Sequence, residues 1–273
     1  MATDQAPTAK PAPDTPKPTT SPYLIVYSLD QDRSTYSLSC FVTKLHFRLR
    51  YASILYENSL GTRSQAPKEK FPYVKFVDSG ELLGDTALIV RRLVEQGRLE
   101  DLNAGLAPGE RAVDYCLRAM LEDRLYYHVN FERWYENYKM MRDHGPFGHL
   151  PGGIRHVTGF FTFQYLKMML YFQGTGRHSP DEVRHFRTEA IGALADFAST
   201  AQEKAVQGNS APFWILGGER PTEADFTLFG CISGYLANKL QPDTTAVIKS
   251  HPALVDYVER IHRTYFSDFR DLL

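Results

Sequence analysis

Two pairs of neighbouring residues carry side chains that could bind or activate a small molecule. The first pair, Asp85 and Thr86, precedes the apolar positions Leu88, Ile89 and Leu93. This pattern predicts a helix with a side-chain cap. The N–H groups and hydroxyl at a helix N-terminus suit a carboxylate, and a neighbouring carboxylate side chain suits an ammonium. The pair could therefore bind a group that carries both charges, or it could only cap its helix.

The second pair, Ser39 and Cys40, begins a pattern in which Phe41, Leu45 and Leu49 recur at helical spacing. A helix N-terminus carries about half a positive charge, which favours a thiolate over a thiol. A cysteine at this point would be a nucleophile able to form a mixed disulfide. Alternatively, Ser39 is an ordinary N-cap and Cys40 is a small buried filler.

Short strands must hold these helices in place. Apolar, β-branched and aromatic runs predict four strands, at residues 23–28, 53–57, 73–77 and 81–83. The helix predicted at residues 39–52 joins the first two strands as a parallel pair. The Asp78-Ser79-Gly80 turn joins the last two as a hairpin, ahead of the Asp85 helix. The resulting order, βαβ then ββα, is that of a thioredoxin-like domain.

The stretch from residue 71 to residue 93 resembles the second half of the thioredoxin-like domain of glutathione transferases. The resemblance implies that Pro72 follows a cis peptide bond and that Phe71 offers its backbone to the cysteine of glutathione. It also implies that Asp85 and Thr86 hold the γ-glutamyl group. Glutathione is therefore the expected co-substrate, and no spacing of metal ligands competes with this interpretation.

The loop Ser37-Leu38-Ser39-Cys40-Phe41, followed by Lys44-Leu45, resembles a motif of the failed-axon-connections and metaxin branch of this superfamily, Asn-Leu-Ser-Pro-Phe-Cys-x-Lys-Leu. Ser39 falls on the catalytic serine or cysteine position, and Cys40 falls where many members carry proline. Both residues are therefore catalytic candidates, and which of them faces the sulfur stays open. We favour Ser39, whose hydroxyl would donate a hydrogen bond to the thiolate.

Apolar residues recur from residue 110 to residue 138 and predict one long helix. In related two-domain proteins the inner face of this helix lines the site of the electrophilic substrate. The block EDRLYYHVNFERWYE again resembles the failed-axon-connections branch. The resemblance indicates four pocket residues, Arg124, Tyr127, His128 and Trp134. Each of them could instead belong to the helix core, with a stacked arginine among aromatic rings.

Further helices are predicted towards the C-terminus, at residues 154–171, 180–207, 226–236 and 253–264. The run 154–171 is almost entirely apolar, but charged residues interrupt it, so we expect a central buried helix rather than a membrane span. A breaker-rich loop at 141–153 precedes it. Capping boxes are predicted at Ser179 and Thr222, and the second resembles the folding motif of the core helix of glutathione transferases.

The predicted fold is thus an α/β thioredoxin-like N-terminal domain followed by an all-α helical-bundle C-terminal domain, the glutathione transferase fold. The predicted divisions are a disordered Pro/Thr-rich tail at 1–21, the glutathione-binding domain at 22–97, a linker at 98–109 and the helical domain at 110–273. The tail has neither the apolar core of a secretory signal nor the arginines of a mitochondrial presequence.

Composition and charge limit the class of protein, its partners and its compartment. The chain has 273 residues, 43% of them hydrophobic and 23% charged, with a formal net charge of −1. These values suit a globular protein of two modest domains, and they give no polybasic footprint for nucleic acid or anionic lipid, so we expect no nucleic-acid partner. The cysteines, which number 3, form no disulfide framework and favour a reducing compartment, so we expect a cytoplasmic protein. We also expect no apolar span of the kind that anchors some metaxins.

These observations lead to three functional hypotheses. The first is a glutathione transferase acting in detoxification, which stabilises the glutathione thiolate and presents it to a small apolar electrophile for conjugation, isomerisation or ether cleavage. The second is a non-catalytic adaptor of the metaxin or failed-axon-connections kind. The third is a deglutathionylating thiol-disulfide enzyme based on Cys40. The resemblance also implies pairing of two chains into a homodimer through the thioredoxin-like half.

Overall fold

A four-stranded mixed sheet and a larger helical region make up the computed structural model, which describes residues 21–30, 32–205 and 210–272. The strands are β1 (Leu24–Ser28), β2 (Tyr56–Leu60), β3 (Tyr73–Phe76) and β4 (Leu82–Gly84). The helices are α1 (Cys40–Tyr51), α2 (Thr86–Glu95), α3 (Pro108–Ala119), α4 (Tyr126–Phe131), α5 (Tyr138–His144), α6 (Gly152–Gln173), α7 (Pro180–Lys204), α8 (Glu223–Ala237), α9 (Pro242–Lys249) and α10 (Pro252–Tyr265).

The sheet has the order β2-β1-β3-β4, with β1 parallel to β2 and antiparallel to β3. Tyr27 near the end of β1 lies opposite Tyr73 at the start of β3, and Tyr73 lies opposite Gly84 at the end of β4. The end of β1, the start of β3 and the end of β4 therefore lie at the same end of the sheet. Helices α1 and α2 cover the sheet through a buried apolar cluster that includes Leu45 on α1 and Leu93 on α2.

Helix α8 lies at the centre of the helical region and is buried from Ala224 to Leu236. It packs at very short range against α1 and the loop before it, because one glycine faces each of them. A Cβ at Gly230 would lie 2.6 Å from the Cys40 carbonyl oxygen, and one at Gly234 would lie 3.1 Å from the Ser37 oxygen. These glycines fix α1, and hence its N-terminus, against the helical region.

The predicted fold class is confirmed, with the thioredoxin-like order followed by helices. Both predicted capping boxes are present, at Ser179–Glu182 and at Thr222–Asp225. The sequence reading missed α9 entirely. Residues 1–20 of the predicted tail and the end of the helix predicted at 180–207 lie outside the described residues.

The second strand was predicted at residues 53–57, and this is wrong by three positions. The backbone after α1 first closes the helix, since Ser53 N donates to Arg50 O and Ile54 N donates to Leu49 O, at 3.0 and 2.9 Å. Ser53 also has a positive φ of 55°. Pairing with β1 can start only after this turn, at Tyr56.

The long helix predicted at 110–138 is present but not regular. Two π-helical segments, Met120–Leu125 and Glu132–Glu136, separate α3 from α4 and end the helix. Asn137 leaves the helical conformation while its N–H donates to Glu132 O at 2.9 Å. The chain then forms α5, which occupies the first part of the loop predicted at 141–153.

The expectation that residues 154–171 form a central buried helix is wrong. One side of α6 packs on the α3–α5 segment, and Gly159 and Leu170 are its buried residues. The opposite side faces solvent and carries eight large exposed apolar side chains, those of Ile154, Val157, Phe160, Phe161, Tyr165, Met168, Tyr171 and Phe172. Within the described ranges, no helix combines the length and apolar composition needed to cross a bilayer.

Candidate functional site

The predicted binding residues converge at one end of the sheet. Pro72 precedes β3, and the Asp85-Thr86 pair follows β4, at the end where Tyr73 lies opposite Gly84. The last residue of β1 reaches the same end, and α1 begins there because it runs back along the sheet to reach β2. The topology thus brings Ser39, Phe71-Pro72 and Asp85-Thr86 to one edge of the molecule.

Ser39 is the N-cap of α1, with extended backbone angles of φ −89° and ψ 111°. Its carbonyl oxygen accepts from Val42 N at 3.0 Å, and its N–H donates to Ser37 Oγ at 3.0 Å. The half-buried Ser39 hydroxyl makes no capping hydrogen bond, unlike that of Ser179 in α7. It remains able to donate to an anion, beside the first N–H groups of the helix.

Cys40 points away from this edge into the core. Its side chain is 4% exposed and belongs to the main apolar cluster of the helical region. A hydrogen bond with the Cys40 thiol, together with burial, raises the pKa of the Cys231 thiol on α8 well above its usual value. The two buried thiols therefore face each other across the contact between α1 and α8.

A residue that sequence reasoning missed holds the loop before Ser39. Arg133 is 4% exposed, and its Nη1 donates to the Leu38 carbonyl oxygen at 3.1 Å. Its Nε donates to Gln241 Oε1 at 2.7 Å, and Gln241 Nε2 donates to Tyr235 O at the end of α8. No local pattern could reveal this link, because the three segments are about a hundred residues apart in the chain.

The guanidinium of Arg133 also places a buried positive charge within a few ångströms of the Ser39 backbone, since Leu38 is the preceding residue. Its Nη2 has no hydrogen-bond partner among the described residues. A buried cation near this helix N-terminus favours an anion there, in the same sense as the helix dipole. Arg133 therefore both positions the loop and adds to the positive potential of the edge.

The peptide bond between Phe71 and Pro72 is cis, as the resemblance implied. Pro72 is buried, and the half-buried Phe71 ring lies 5.7 Å from the ring of Tyr73. Tyr73 in turn stacks on Tyr27 at 4.7 Å with an interplanar angle of 7°. Gly61 makes room for these rings, because a Cβ there would lie 2.8 Å from Phe71 Cε1.

Asp85 caps α2, and this cap uses only one oxygen of its carboxylate. Oδ1 accepts from Ala87 N at 3.0 Å and from Leu88 N at 3.3 Å. Asp85 is exposed and has a φ of 82°, whereas Thr86 is 5% exposed. Capping and ligand binding are thus compatible at this pair, since Asp85 Oδ2 has no bond to the described part of the chain.

The four predicted pocket residues are not brought together. The guanidinium of Arg124 lies 5.5 Å from the ring centroid of Phe186 on α7, and the His128 ring stacks on the same phenylalanine at 6.1 Å. Burial and the nearby Arg124 lower the pKa of His128 to about 4, so its imidazole is neutral. Tyr127 packs beside Phe131 in the contact with α6 and α7.

Trp134 is the pocket candidate that lies nearest the site. It is 4% exposed and packs in one cluster with Leu38 and Leu240. A second aromatic ring near α1, which the sequence reading did not single out, is Tyr126, edge-on to Phe41 at 5.3 Å. Burial and the adjacent Cys40 raise the pKa of Tyr126 to about 12, so it stays a neutral phenol.

A separate polar cavity lies on the β2 side of β1. Ser28, Asp30, His46 and Asn58 are among its lining residues. Burial lowers the pKa of His46 to about 3 and raises that of Asp30. Among the residues that the structure describes, no group of three His, Cys, Asp or Glu side chains is arranged to hold a metal ion.

Comparison with known proteins identifies the relatives of this chain. A family model for the glutathione S-transferase N-terminal domain matches residues 40–140. The chain is 26% identical over 254 residues to Failed axon connections of Drosophila melanogaster, covering 86% of this chain and 56% of that protein. It is 28% identical over 243 residues to the isoprene-epoxide–glutathione S-transferase of Rhodococcus sp. strain AD45, covering 84% of this chain and 93% of that enzyme.

Among solved structures, a glutathione S-transferase from Rhodospirillum rubrum F11 has a TM-score of 0.55 at 16% identity, covering 92% of this chain and 91% of that one. At this identity the likeness concerns the fold alone. The chain spans only 56% of the length of Failed axon connections. The resemblance to the glutathione transferase superfamily and its failed-axon-connections branch is confirmed.

Proposed function

We propose that this chain, a member of the glutathione transferase superfamily, is an enzyme that activates glutathione for attack on a small apolar electrophile. One observation carries the proposal: the hydroxyl of Ser39, without a capping bond, lies at the N-terminus of α1, at the sheet end that also bears the cis Phe71–Pro72 bond and the Asp85-Thr86 pair. The Rhodococcus relative, named for an epoxide and glutathione, supports an electrophilic partner.

In this proposal the tripeptide lies along the edge between Phe71-Pro72 and Asp85-Thr86. The Thr86 hydroxyl and the α2 N-terminus hold the γ-glutamyl carboxylate, and Asp85 Oδ2 holds its ammonium. The backbone of Phe71 binds the cysteine of glutathione. The sulfur then lies at Ser39, near the first N–H groups of α1 and the buried charge of Arg133.

The chemical step starts from the thiolate. The thiol proton leaves to solvent, and the Ser39 hydroxyl and the α1 dipole stabilise the sulfur anion. The sulfur forms a C–S bond with the electrophilic carbon, while the bond from that carbon to its leaving group or epoxide oxygen breaks. Conjugation and ether cleavage begin with this step, whereas glutathione-assisted isomerisation begins with addition of the sulfur to a double-bond carbon, in which the π bond breaks and no group leaves.

Ser39 is the proposed thiolate-stabilising residue, and Cys40 is not required for it. The burial of Cys40 and its contact with Cys231 support this choice, because a thiol facing the core cannot attack a mixed disulfide at the edge. On the electrophile side Trp134 is the best supported wall residue, because the apolar cluster to which it belongs packs against Leu38. Arg124 and His128 are less well supported as pocket residues, because both side chains contact Phe186 on α7.

The test combines calorimetric titration with glutathione and turnover of a reactive aryl halide and a small epoxide. We expect binding in the micromolar to low millimolar range, turnover by the intact chain, and loss of roughly tenfold or more in kcat with Ser39→Ala. Cys40→Ser is the matched control and should retain most activity. Loss of activity in Cys40→Ser with Ser39→Ala unaffected would instead assign the chemistry to Cys40.

A second candidate function is a non-catalytic adaptor, and the match to Failed axon connections favours it specifically. In an adaptor the edge beside Ser39 would keep the shape of a glutathione site without binding glutathione. Absence of heat on titration with glutathione, together with no turnover of either electrophile, would select the adaptor. A cytoplasmic role in detoxification and pairing into a homodimer belong to the enzyme proposal, and sedimentation velocity tests the latter.

A further inference from the structure

The solvent-facing side of α6 carries more large exposed apolar side chains than any other helix or strand of the described chain. Its aromatic side chains are Phe160, Phe161, Tyr165, Tyr171 and Phe172, which are between 50% and 71% exposed. At 3.6 residues per turn the exposed apolar positions fall within an arc of roughly 140°, and they extend over about 27 Å of the helix. The only polar side chain inside that arc is Gln164.

Such a face is unusual for a helix that already packs on its own protein along the other side. Surface helices of globular proteins normally present polar residues opposite their core-facing stripe. Apolar patches of this extent generally mark an interaction site. The twenty residues that precede the described part contain no aromatic, leucine, isoleucine or valine residue, so they bring no large apolar side chain besides Met1 that could cover the face.

The charged residues that α6 and its flanking segments contribute are all basic. From residue 144 to residue 180 the chain contains no aspartate or glutamate, although it has 32 acidic residues in total. The same stretch carries Lys167 and Arg177, four of the nine histidines, and Arg155, which pairs with Asp143 at 3.6 Å. A second copy docked symmetrically on this face would bring two such basic margins together, which disfavours pairing of this chain with itself here.

Two arginines lie directly against rings of the face. The Arg177 guanidinium is 5.1 Å from the ring centroid of Tyr171, and that of Arg63, from the loop after β2, is 5.2 Å from the ring centroid of Tyr165. Arg63 also pairs with Glu69 at 3.3 Å, so Lys167 and Arg177 are the clearer sources of positive charge. Aromatic rings bordered by arginine and lysine suit the boundary between lipid headgroups and acyl chains.

We propose that the exposed face of α6 docks on an anionic lipid surface, with the helix axis parallel to the membrane plane. The aromatic and aliphatic side chains enter the boundary between headgroups and acyl chains, and Lys167 and Arg177 contact the anionic headgroups. The Arg63–Tyr165 contact places the N-terminal domain beside the same surface. The face is independent of the glutathione site, so neither proposal depends on the other.

The experiment is flotation of the full chain with vesicles of phosphatidylcholine, with or without about one-third phosphatidylserine. We expect the chain to float with the anionic vesicles roughly tenfold more than with the neutral ones, and to be released by high salt. The double variant Phe161→Ser/Phe172→Ser should lose roughly tenfold in partition, since both side chains insert. Lys167→Glu/Arg177→Glu should abolish the preference for anionic vesicles.

Matched controls come from exposed residues elsewhere. Tyr115→Ser on α3 removes a 66% exposed ring, and Arg91→Glu on α2 reverses an exposed charge, and both should float like the unchanged chain. Equal flotation of all variants, or no flotation of the unchanged chain, overturns the proposal. A stable dimer in sedimentation that Phe161→Ser/Phe172→Ser converts to a monomer also overturns the proposal, since a second copy of the chain would then cover this face.

Discussion

Helices α6 and α8 are both rich in apolar residues, yet they differ in how far those residues are buried. Helix α8 is buried from Ala224 to Leu236, whereas α6 leaves eight large apolar side chains exposed. The difference lies in the small and polar residues. Gly230 and Gly234 let α8 approach α1 closely, and Asp225 ties its first turn to neighbouring segments. Beyond its first turn, the outer side of α6 has no such small residues and carries bulky rings instead.

The comparison teaches that apolar composition alone does not determine burial. Close approach of two backbones requires small side chains at the contact, and a buried helix end requires partners for its polar groups. Where both are present, as in α8, the helix fixes the entry to α1 and so the candidate site. Where both are absent, as on the outer side of α6, the apolar face stays available for another surface.

The largest effect is expected at the first turn of α8. Asp225 is fully buried and accepts from Ile215 N at 2.7 Å, Thr222 N at 2.8 Å and the Tyr257 hydroxyl at 2.9 Å. Asp225→Ala leaves these buried donors without an acceptor and should lower the free energy of unfolding by about 4 kcal/mol. Urea denaturation measures it, with Ser179→Ala at the exposed capping box of α7 as the control, expected to cost about 1 kcal/mol.

A second change attacks the close contact between α8 and α1. Gly230→Ala places a Cβ 2.6 Å from Cys40 O and 2.8 Å from Lys44 N, both backbone atoms that cannot move alone. We expect a loss of about 3 kcal/mol in the free energy of unfolding. The control is Gly192→Ala in α7, where no atom lies within 4 Å and the change should be neutral or stabilising. Equal effects at the two positions would contradict the account of α8.

Arg133 connects the loop before Ser39 to Gln241 and the end of α8. Weakening this connection should reduce catalysis more than it reduces the free energy of unfolding. In Arg133→Lys one ammonium replaces the two guanidinium nitrogens that bond Gln241 and Leu38, and it lacks their fixed planar spacing, so the loop before Ser39 is held less firmly. We expect kcat/KM for glutathione conjugation to fall roughly tenfold. Arg184→Lys, in the exposed ion pairs of α7, is the control.

The pH profile separates positioning from charge at Arg133. Arg133→Met removes the positive charge as well as the anchor, so its kcat/KM should rise at higher pH than that of Arg133→Lys, because the bound thiol ionises less readily. Coincident pH profiles for the two variants would leave Arg133 with a positioning role only.

The smallest effect is expected on the outer side of α6. Phe161 is 67% exposed, so Phe161→Ser removes few contacts and should change the free energy of unfolding by less than about 0.5 kcal/mol in the absence of lipid. Denaturation in urea under the conditions used for Gly230→Ala gives the direct contrast. A loss comparable to that of Gly230→Ala would mean that α6 is covered and supports the fold.

Local patterns predicted most of the fold. The alternation of residues around Asp78-Ser79-Gly80 predicted the hairpin, and the position of Asp85 before an apolar run predicted the cap of α2. Two of the failures have different causes. The exposure of α6 depends on which distant segments pack against it, and the start of β2 depends on how the end of α1 closes at Ser53.

The candidate site was recognisable through motif resemblance, but its supporting residues were not. Ser39 and Pro72 stand in stretches with a readable pattern. Arg133 contacts the loop before Ser39 and Gln241 holds Arg133, yet these two residues lie 108 positions apart, and nothing in either local stretch indicates that they meet. The pocket candidates on the long helix came from motif resemblance, which does not indicate the two π-helical segments that change which side each residue faces.

The most direct test of the account is the ultraviolet absorbance of the glutathione thiolate bound to the protein across a pH series. With the intact chain we expect a thiol pKa at least about one unit below that of free glutathione, and a return towards the free value in Ser39→Ala but not in Cys40→Ser. Saturating glutathione with no thiolate signal in the intact chain, or a signal that Ser39→Ala leaves unchanged, would contradict the claim that this helix N-terminus holds a sulfur anion.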